Sequence, residues 1–240
     1  MFEFISRVLW QVDVPYFHKG LDSTHVDLGG GGVPRNPFGA KNLICADLHD
    51  WRTESSKSIS NFVAIDIRKQ FPFPDNSIDS FSAFDVIEHI PRIQDENGTQ
   101  HYPFINFMSE IYRSLKPGGI FIALTPAYPH AYAFEHPTHI NFVSEGTIYY
   151  FTEALSESLR LGYGSKSNFQ LIQQQWQRGA GPFEDPGNLQ YRMLKNGTSF
   201  ERIKCTIVII VRYMRLLGKG EKSHLLWVLQ KPIGETLHSA

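Results

Sequence analysis

Four consecutive glycines follow a short apolar run near the start of the chain. The run Thr24–Leu28 reads THVDL, and Gly29–Gly32 come directly after it. Glycines after a strand let the backbone approach a ligand closely or adopt a positive φ. The segment therefore predicts a β-strand that ends in a loop of bare backbone, where open α/β sheets bind their ligands.

Further apolar runs alternate with helical patterns along the chain. Strands are predicted over 42–46, 61–65, 77–84, 120–125, 168–176 and 224–230. Apolar residues at helical spacing predict a helix over 104–115, ended by the KPGG of 116–119, and another over 148–159, closed by Gly162. This alternation favours an α/β fold with a doubly wound, mostly parallel sheet.

The length and composition are those of one domain. The chain has 240 residues, of which 42% are hydrophobic, which is enough for one sizeable core. We expect a single domain over 1–240, with 1–20 as an N-terminal appendage or lid and 178–223 as an insertion without a clear pattern. The net charge of -1 gives no electrostatic reason to expect nucleic acid binding.

Several features favour a cytoplasmic location. Cys45 and Cys205 form neither a metal-spaced pair nor a disulfide framework, as is typical of a reducing compartment. The first ten residues contain too short an apolar stretch for a signal peptide. The most apolar run, 205–211, is far below the roughly 20 residues that cross a bilayer.

The glycine loop has three interpretations. It is a flexible turn, a dinucleotide site, or a site for a cofactor without phosphates. A dinucleotide site needs glycine at a third position and a helix that points its N-terminus at the diphosphate. Here Pro34 occupies the third position, and Pro37 forces an extended backbone on Asn36. The loop is therefore a poor opening for such a helix.

A series of acidic residues favours S-adenosylmethionine, a sulfonium cation that carries no phosphate. Asp27 to Gly31 match the pattern D-x-G-x-G at the end of the first strand. Asp47, next to Leu48, ends the second strand and can accept hydrogen bonds from ribose hydroxyls. Asp66 follows the third strand and can accept one from the adenine amine, with the amide of Ile67 available to a ring nitrogen. All these positions share the carboxyl edge of the sheet.

The region from Thr24 to Pro126 resembles a known family. The stretches VDLGGGG, CADL, AIDIRKQFPFPDNSIDSFSAFDVIEHI and EIYRSLKPGGIFIALTP are similar to class I S-adenosylmethionine-dependent methyltransferases of the type-11-like branch. The resemblance implies a Rossmann-like sheet of seven strands, the last of them antiparallel. It also implies that Phe84 and Asp85 border the methionine half of the cofactor.

The segment GVPRNPFG departs from the family pattern, in which a regular helix follows the glycines. The departure raises the question of how the carboxylate of methionine is held. Arg35 lies in this segment and is a candidate for that role. The alternative is that Arg35 is a solvated loop residue.

Three histidines are candidate catalytic residues, because a hydroxyl nucleophile requires a base. His89 follows the fourth strand, where it either lines the active site or packs under the substrate pocket. His139, in the segment EHPTHINF after the fifth strand, is the preferred base, or else orders the loop; His136 is a further candidate. Glu135, His136 and His139 lack a third distant ligand motif, so we expect no metal site.

Aromatic and basic residues suggest possible partners. An aromatic group could stack on a sugar or a flat acceptor, although the helical spacing of Phe151 assigns that residue to the core. Its members are Tyr128, Tyr132, Phe134, Phe142, Tyr149, Tyr150 and Phe151. The basic segment 201–224 either contacts a membrane surface peripherally or is a core element with a solvated flank.

These observations predict an S-adenosylmethionine-dependent methyltransferase. The acceptor is expected to be a small molecule or glycan, with oxygen favoured over nitrogen because histidines are available. HPTHINF and HLLWVLQKP resemble segments of family members tied to bacterial surface-polysaccharide assembly. The alternatives are a non-catalytic S-adenosylmethionine-binding protein of the same fold and a nicotinamide-dependent redox enzyme.

Overall fold

The computed structural model describes residues 22–52, 59–152, 165–177, 198 and 222–234. The strands are β1 (Thr24–Leu28), β2 (Asn42–Asp47), β3 (Phe62–Ala64), β4 (Ile78–Phe84), β5 (Gln94–Glu96), β6 (Thr99–His101), β7 (Leu115–Pro126), β8 (Gln170–Gln177) and β9 (His224–Gln230). The helices are α1 (Pro103–Ser114) and α2 (Tyr132–Glu135), with 3-10 turns at Ile87–His89 and Glu145–Tyr150.

Seven of the strands form one sheet in the order β3-β2-β1-β4-β7-β9-β8, and β5 and β6 form a separate hairpin. β1 pairs in parallel with β2 and β4, β2 with β3, and β4 with β7. β9 is antiparallel to both of its neighbours, β7 and β8. The predicted fold is therefore confirmed, including the antiparallel last strand. The carboxyl ends of β1 to β4 and β7 share one edge.

The helix and strand on either side of Leu115 meet without a loop, contrary to the prediction. α1 ends at Ser114, and Leu115 already has an extended backbone and pairs with Ile78 of β4. The segment KPGG therefore lies within β7, and the register shifts between Ile78 and Ser80. Gly118 takes a φ of 80° and donates its amide to Lys231. The glycines thus form an irregularity in the strand and do not cap the helix.

Three predictions concern parts of the chain that lie wholly or largely outside the described residues. Of the helix predicted from Ile148 onwards, the described part is the 3-10 turn that precedes Phe151. The predicted appendage 1–20 and nearly all of the predicted insertion 178–223 also lie outside the described residues. Within the described parts of the chain, no helix is long and apolar enough to cross a bilayer.

The main core fills the space between the sheet and α1. The helix has an amphipathic pattern, and its residues Phe107, Met108 and Ile111 are fully buried. The ring centroid of Phe107 lies 6.1 Å from that of Phe121 in β7. Fully burying each of these side chains contributes roughly 2–3 kcal/mol. This packing fixes β4 against β7 and so fixes the strand ends that carry the candidate site.

No helix follows β1 in the described segment 29–41, which consists of turns. This agrees with the interpretation that Pro34 and Pro37 do not open a helix. Phe38 from this segment packs instead on the second face of the sheet, with Phe84 and Leu124 among its partners. The connection is therefore short, and it keeps the glycine loop close to the carboxyl edge.

Candidate active site

Asp27 lies beneath the glycine loop and is 1% exposed. Its Oδ2 accepts a hydrogen bond of 2.7 Å from the amide of Arg35, and its Oδ1 accepts one of 2.5 Å from the hydroxyl of Ser82. Both oxygens are thus used inside the protein. Asp27, which the sequence predicted as a cofactor-binding residue, holds the loop from Gly29 to Arg35 in place.

A buried histidine completes a polar chain behind this carboxylate. His25 Nε2 lies 2.8 Å from Ser82 Oγ, and His25 Nδ1 lies 2.8 Å from Ser80 Oγ. Because the Ser82 hydroxyl donates to Asp27, His25 Nε2 must be the donor to Ser82. Burial lowers the pKa of His25 to about 3 and raises the pKa of Asp27 to about 6. The sequence analysis did not single out His25 or Ser82.

The glycines of the loop differ in how strongly packing requires them. Gly29 has a φ of 65°, and a Cβ there would lie 2.5 Å from Val86 Cγ2. A Cβ on Gly30 would lie 2.6 Å from Asp27 Oδ2. Gly31 also has a positive φ, but a Cβ there would meet nothing within 4 Å. The first two glycines are required by packing, whereas Gly31 borders open space at the edge of the sheet.

Asp47 lies at the carboxyl end of β2, beside the glycine loop. Its Oδ2 accepts a hydrogen bond of 3.1 Å from the Gly31 amide, and its Oδ1 accepts one of 3.1 Å from the His49 amide. A carboxylate has about four acceptor positions, so capacity remains for ribose hydroxyls. Leu48, the next residue, is 72% exposed at this edge.

Asp66 follows β3 at the outer end of the same edge. It pairs with Arg68 through hydrogen bonds of 2.8 and 2.9 Å, and these bonds lower its pKa. The carboxylate therefore stays ionised and able to accept a further hydrogen bond. Ile67 beside it is partly buried and packs against the main core.

These residues fit S-adenosylmethionine better than a dinucleotide. The Gly31 amide, which a diphosphate would need as a donor, is already bonded to the Asp47 carboxylate. Asp47 would also repel a diphosphate at that position. A cofactor with ribose hydroxyls and a sulfonium cation is compatible with carboxylates at the ends of β1, β2 and β3.

Phe84, Asp85 and Arg35 lie together at the end of β4. The guanidinium of Arg35 lies 4.9 Å from the centre of the Phe84 ring, and its Nη1 lies 3.4 Å from the Phe84 carbonyl oxygen. Asp85 takes a φ of 56°, and its Oδ1 lies 3.3 Å from His224 Nε2. A role for Arg35 in binding the methionine carboxylate stays a prediction.

The three predicted catalytic histidines come together in space. The ring centroids of His89 and His139 are 5.0 Å apart, those of His136 and His139 are 5.1 Å apart, and those of His89 and His136 are 5.8 Å apart. Glu135 is not part of this group. Its place is taken by Glu88, whose carboxylate lies 4.0 Å from His139 Nε2.

Backbone hydrogen bonds fasten the two histidine segments to each other. The amides of Ile140 and Asn141 donate to the Glu88 carbonyl at 2.9 and 3.0 Å. The Asn141 side chain donates to the Ile87 carbonyl at 3.0 Å and accepts a bond of 2.7 Å from Arg92. The loop after β7 is thereby fixed on the 3-10 turn that follows β4.

Glu88, Thr125 and His224 were not singled out by sequence reasoning. Glu88 is 1% exposed, and burial raises its pKa to about 7, while the Thr125 hydroxyl donates to its Oε2 at 2.9 Å. The position of Glu88 directly before His89 was an available signal for it. Nothing in the sequence distinguishes His224 from any other first residue of a strand.

A cavity of about 600 Å³ opens beside the loop that follows β7. It is lined by Tyr128, Pro129, His130, Ser144, Glu145, Gly146, Trp176 and Lys222. His130 stacks on Tyr132, whose carbonyl oxygen lies 3.2 Å from His139 Nδ1. Of the predicted aromatic group, six members are exposed and Phe151 is buried in the core, as its helical spacing predicted.

Comparison with known proteins gives a match over much of this region. The family model described as "Methyltransferase domain" matches residues 27–123. The chain is 24% identical over 136 residues to 24-methylenesterol C-methyltransferase 2 of Oryza sativa subsp. japonica, covering 52% of this chain and 34% of that protein. It is 24% identical over 124 residues to sterol 24-C-methyltransferase of Pneumocystis carinii (strain B80), covering 48% and 30%. The matched region is thus about a third of each relative.

Solved structures share the fold. A SAM-dependent methyltransferase from Archaeoglobus fulgidus has a TM-score of 0.50 at 14% identity, covering 95% of this chain and 94% of that one. A protein described as a methyltransferase from Bacillus halodurans C-125 has a TM-score of 0.50 at 16% identity, covering 95% and 98%. Together with the match of residues 27–123 to a methyltransferase domain, these structures show that the chain has the fold of S-adenosylmethionine-dependent methyltransferases.

Proposed function

We propose that the chain transfers a methyl group from S-adenosylmethionine to a hydroxyl oxygen of a small molecule or glycan. One observation carries the proposal: a pair of carboxylates and a cluster of one glutamate and two histidines lie at the same edge of the sheet. Asp47 ends β2 and Asp66 follows β3, and their carboxylates suit an adenosine. Glu88, His89 and His139 lie past the ends of the neighbouring strands β4 and β7.

The division of chemical roles follows from this arrangement. S-adenosylmethionine supplies an electrophilic methyl group on a sulfonium. The protein aligns the acceptor with that methyl group and activates the acceptor hydroxyl, because a neutral hydroxyl is a weak nucleophile. Glu88, His89 and His139 provide the lone pairs for activation. An amine acceptor would not need such a group, so the cluster favours oxygen over nitrogen.

Two further observations support the acceptor class. The curated relatives are named as sterol methyltransferases, which supports a small-molecule acceptor. The neighbouring cavity combines the aromatic rings of Tyr128 and Trp176 with the carboxylate of Glu145 and the ammonium group of Lys222. Aromatic faces and charged hydrogen-bonding groups are the features that bind a sugar ring. These features support a glycan as the proposed acceptor.

The cofactor site is tested by replacing Asp47 with alanine. We expect S-adenosylmethionine and S-adenosylhomocysteine to bind the intact chain, and Asp47→Ala to weaken both by roughly 10- to 100-fold, because two hydrogen bonds between ribose and a charged group are lost. Isothermal titration calorimetry measures both constants. Asp95→Ala, in the hairpin strand β5, is the matched control and should leave binding unchanged. Equal binding by the Asp47 and Asp95 variants, or binding of NAD alone, would contradict the proposal.

The transfer step is tested with radiolabelled S-adenosylmethionine and pools of glycans and small hydroxylated molecules. Label should appear in an acceptor, bound as a methyl ether. Cofactor binding without transfer to any pool would support the alternative, a non-catalytic S-adenosylmethionine-binding protein. That alternative is motivated by the segment 29–41, which lacks the helix of most family members. A cytoplasmic location and peripheral membrane contact through 201–224 stay proposals.

A further inference from the structure

We infer that Glu88, His89 and His139 form a binding site for one divalent transition-metal ion, for which Zn²⁺ is the probe. Among the described residues, these three each offer one ligand atom, and the three atoms lie within 4.8 Å of one another. Two imidazoles and one carboxylate are a known donor set for zinc sites that keep a position open. From the sequence we expected no metal site, because Glu135, His136 and His139 lack a third distant ligand motif. The fold brings Glu88 and His89 close to His139.

Hydrogen bonds fix which nitrogen of each imidazole is free to bind an ion. His139 Nδ1 lies 3.2 Å from the Tyr132 carbonyl oxygen, and His89 Nδ1 lies 3.1 Å from the Thr138 carbonyl oxygen. A carbonyl oxygen can only accept, so both Nδ1 atoms must carry the proton. The lone pair of each ring is therefore on Nε2. Histidine ligands of metal ions typically donate their other nitrogen to a carbonyl in this way.

Thr138 and His136 form a supporting layer around His89. The Thr138 hydroxyl lies 2.9 Å from His89 Nδ1 and 2.8 Å from His136 Nδ1. The Thr138 amide also points at His136 Nδ1, at 3.4 Å, so this nitrogen accepts and His136 carries its proton on Nε2. His136 is thus a positioning residue, and the ligand set is Glu88, His89 and His139.

The carboxylate of Glu88 faces the lone pair of His139 across a short gap. Its side chain is 2% exposed, and Oε1 lies 4.0 Å from His139 Nε2. Two electron-rich atoms at this distance repel each other in a buried place unless a cation or a proton lies between them. Oε2 is held by the Thr125 hydroxyl at 2.9 Å, which fixes the orientation of Oε1. A cation at this point would satisfy both atoms.

The spacing suits a small ion after a slight contraction. Two ligands of a tetrahedral zinc ion lie about 3.4 Å apart when each bond is about 2.1 Å long. The gap of 4.0 Å between Glu88 Oε1 and His139 Nε2 exceeds that value by about 0.6 Å, so binding would require a small movement of His139 towards Glu88. The hydrogen bonds at His89 Nδ1 leave the lone pair of its Nε2 available to an ion.

The role of the ion rests on the proposed methyl transfer to oxygen, in which Glu88, His89 and His139 would then activate the acceptor hydroxyl through the ion and not as direct bases. The ion would take the acceptor hydroxyl oxygen as its next ligand and lower the pKa of that hydroxyl. The hydroxyl proton passes to solvent, the bond from oxygen to the methyl carbon forms, and the bond from that carbon to sulfur breaks. The electron pair of the broken bond stays on sulfur, which becomes a neutral thioether.

The site is tested by metal binding to the full chain, independently of methyl transfer. After chelator treatment and dialysis, we expect one Zn²⁺ per chain by calorimetry and a ligand-field spectrum when Co²⁺ is the probe. His139→Ala and Glu88→Gln should each weaken Zn²⁺ binding at least tenfold. Glu88→Gln keeps the shape of the side chain and can still accept from Thr125, so it guards against loss of the fold.

His101→Ala is the matched control, because it removes an exposed histidine of β6 outside the cluster. Its Zn²⁺ affinity should equal that of the unaltered chain. Equal affinity in all variants, or no Zn²⁺ binding by the unaltered chain, would overturn the inference. S-adenosylmethionine binding is measured on the same samples, so failure of the metal site is distinguishable from failure of the proposed function.

Discussion

Gly29→Ala is expected to destabilise the protein by roughly 3 kcal/mol, since about 1–2 kcal/mol arises from a side chain in the left-handed region and the rest from overpacking. A Cβ at Gly29 would lie 2.5 Å from a methyl group of Val86, and that β-branched side chain is itself 7% exposed. Relief of the contact requires the loop to move away from β4. We therefore also expect S-adenosylmethionine binding to fall sharply.

Gly39→Ala separates the two causes. Gly39 has the same φ of 65°, but a Cβ there would meet nothing within 4 Å. This control should cost only the backbone strain, about 1–2 kcal/mol. Urea unfolding of both variants gives the free energies of unfolding, and calorimetry gives the cofactor affinities. Equal destabilisation of the two variants would mean that the contact with Val86 contributes nothing.

His25→Gln is expected to change how stability depends on pH. The folded-state pKa of His25, about 3, lies below the ordinary value of 6.5. Its contribution to stability is therefore present above pH 6.5 and is lost as pH falls towards 3, by about 1.4 kcal/mol per pH unit. The stability difference between the unaltered chain and His25→Gln should shrink by roughly 3 kcal/mol as pH falls from 6.5 to 4.

Asp27 acts in the opposite direction over nearly the same range. Its folded-state pKa, about 6, lies above the ordinary value of 3.8. Its contribution is present below pH 3.8 and is lost as pH rises through 6. In the unaltered chain, the effects of His25 and Asp27 therefore nearly cancel between pH 4 and 6. In His25→Gln the effect of Asp27 stands alone, so the stability of this variant should fall as pH rises across that range.

The measurement is chemical unfolding of both proteins at closely spaced pH values from 4 to 7. His101→Gln removes an exposed imidazole from β6 and is the matched control. If the stability difference between the unaltered chain and His25→Gln stays constant over this range, the prediction is wrong. The pKa of the buried imidazole would then be the same in the folded and unfolded states.

The strands were predictable because short apolar runs were closed by residues that end strands. β1 has the predicted bounds, since Gly29 follows Leu28 directly. The start of β7 was predicted five residues late, because the segment KPGG reads as a helix stop. Pairing with Ile78 of β4 overrides that local signal. Tertiary contacts of this kind are not visible in a single sequence.

The grouping of the three acidic residues at one edge of the sheet was predictable for a related reason. In a parallel sheet the ends of consecutive strands meet at one edge, so Asp27, Asp47 and Asp66 had to lie near one another. The meeting of His89 with His139 depends instead on amide bonds from Ile140 and Asn141 to a single carbonyl oxygen. No periodicity in the sequence encodes a contact between two irregular segments 50 residues apart.

The antiparallel pairing of β9 with β8 has a consequence for exchanging the segment that connects these two strands. β8 ends at Gln177 and β9 begins at His224, and these residues are paired in register at the edge that carries the candidate site. The described chain therefore leaves the sheet at Gln177 and returns to it at His224, directly beside the point of departure. We expect chimeras that exchange the stretch between these two residues with that of a homologue to keep the pairing of β8 with β9.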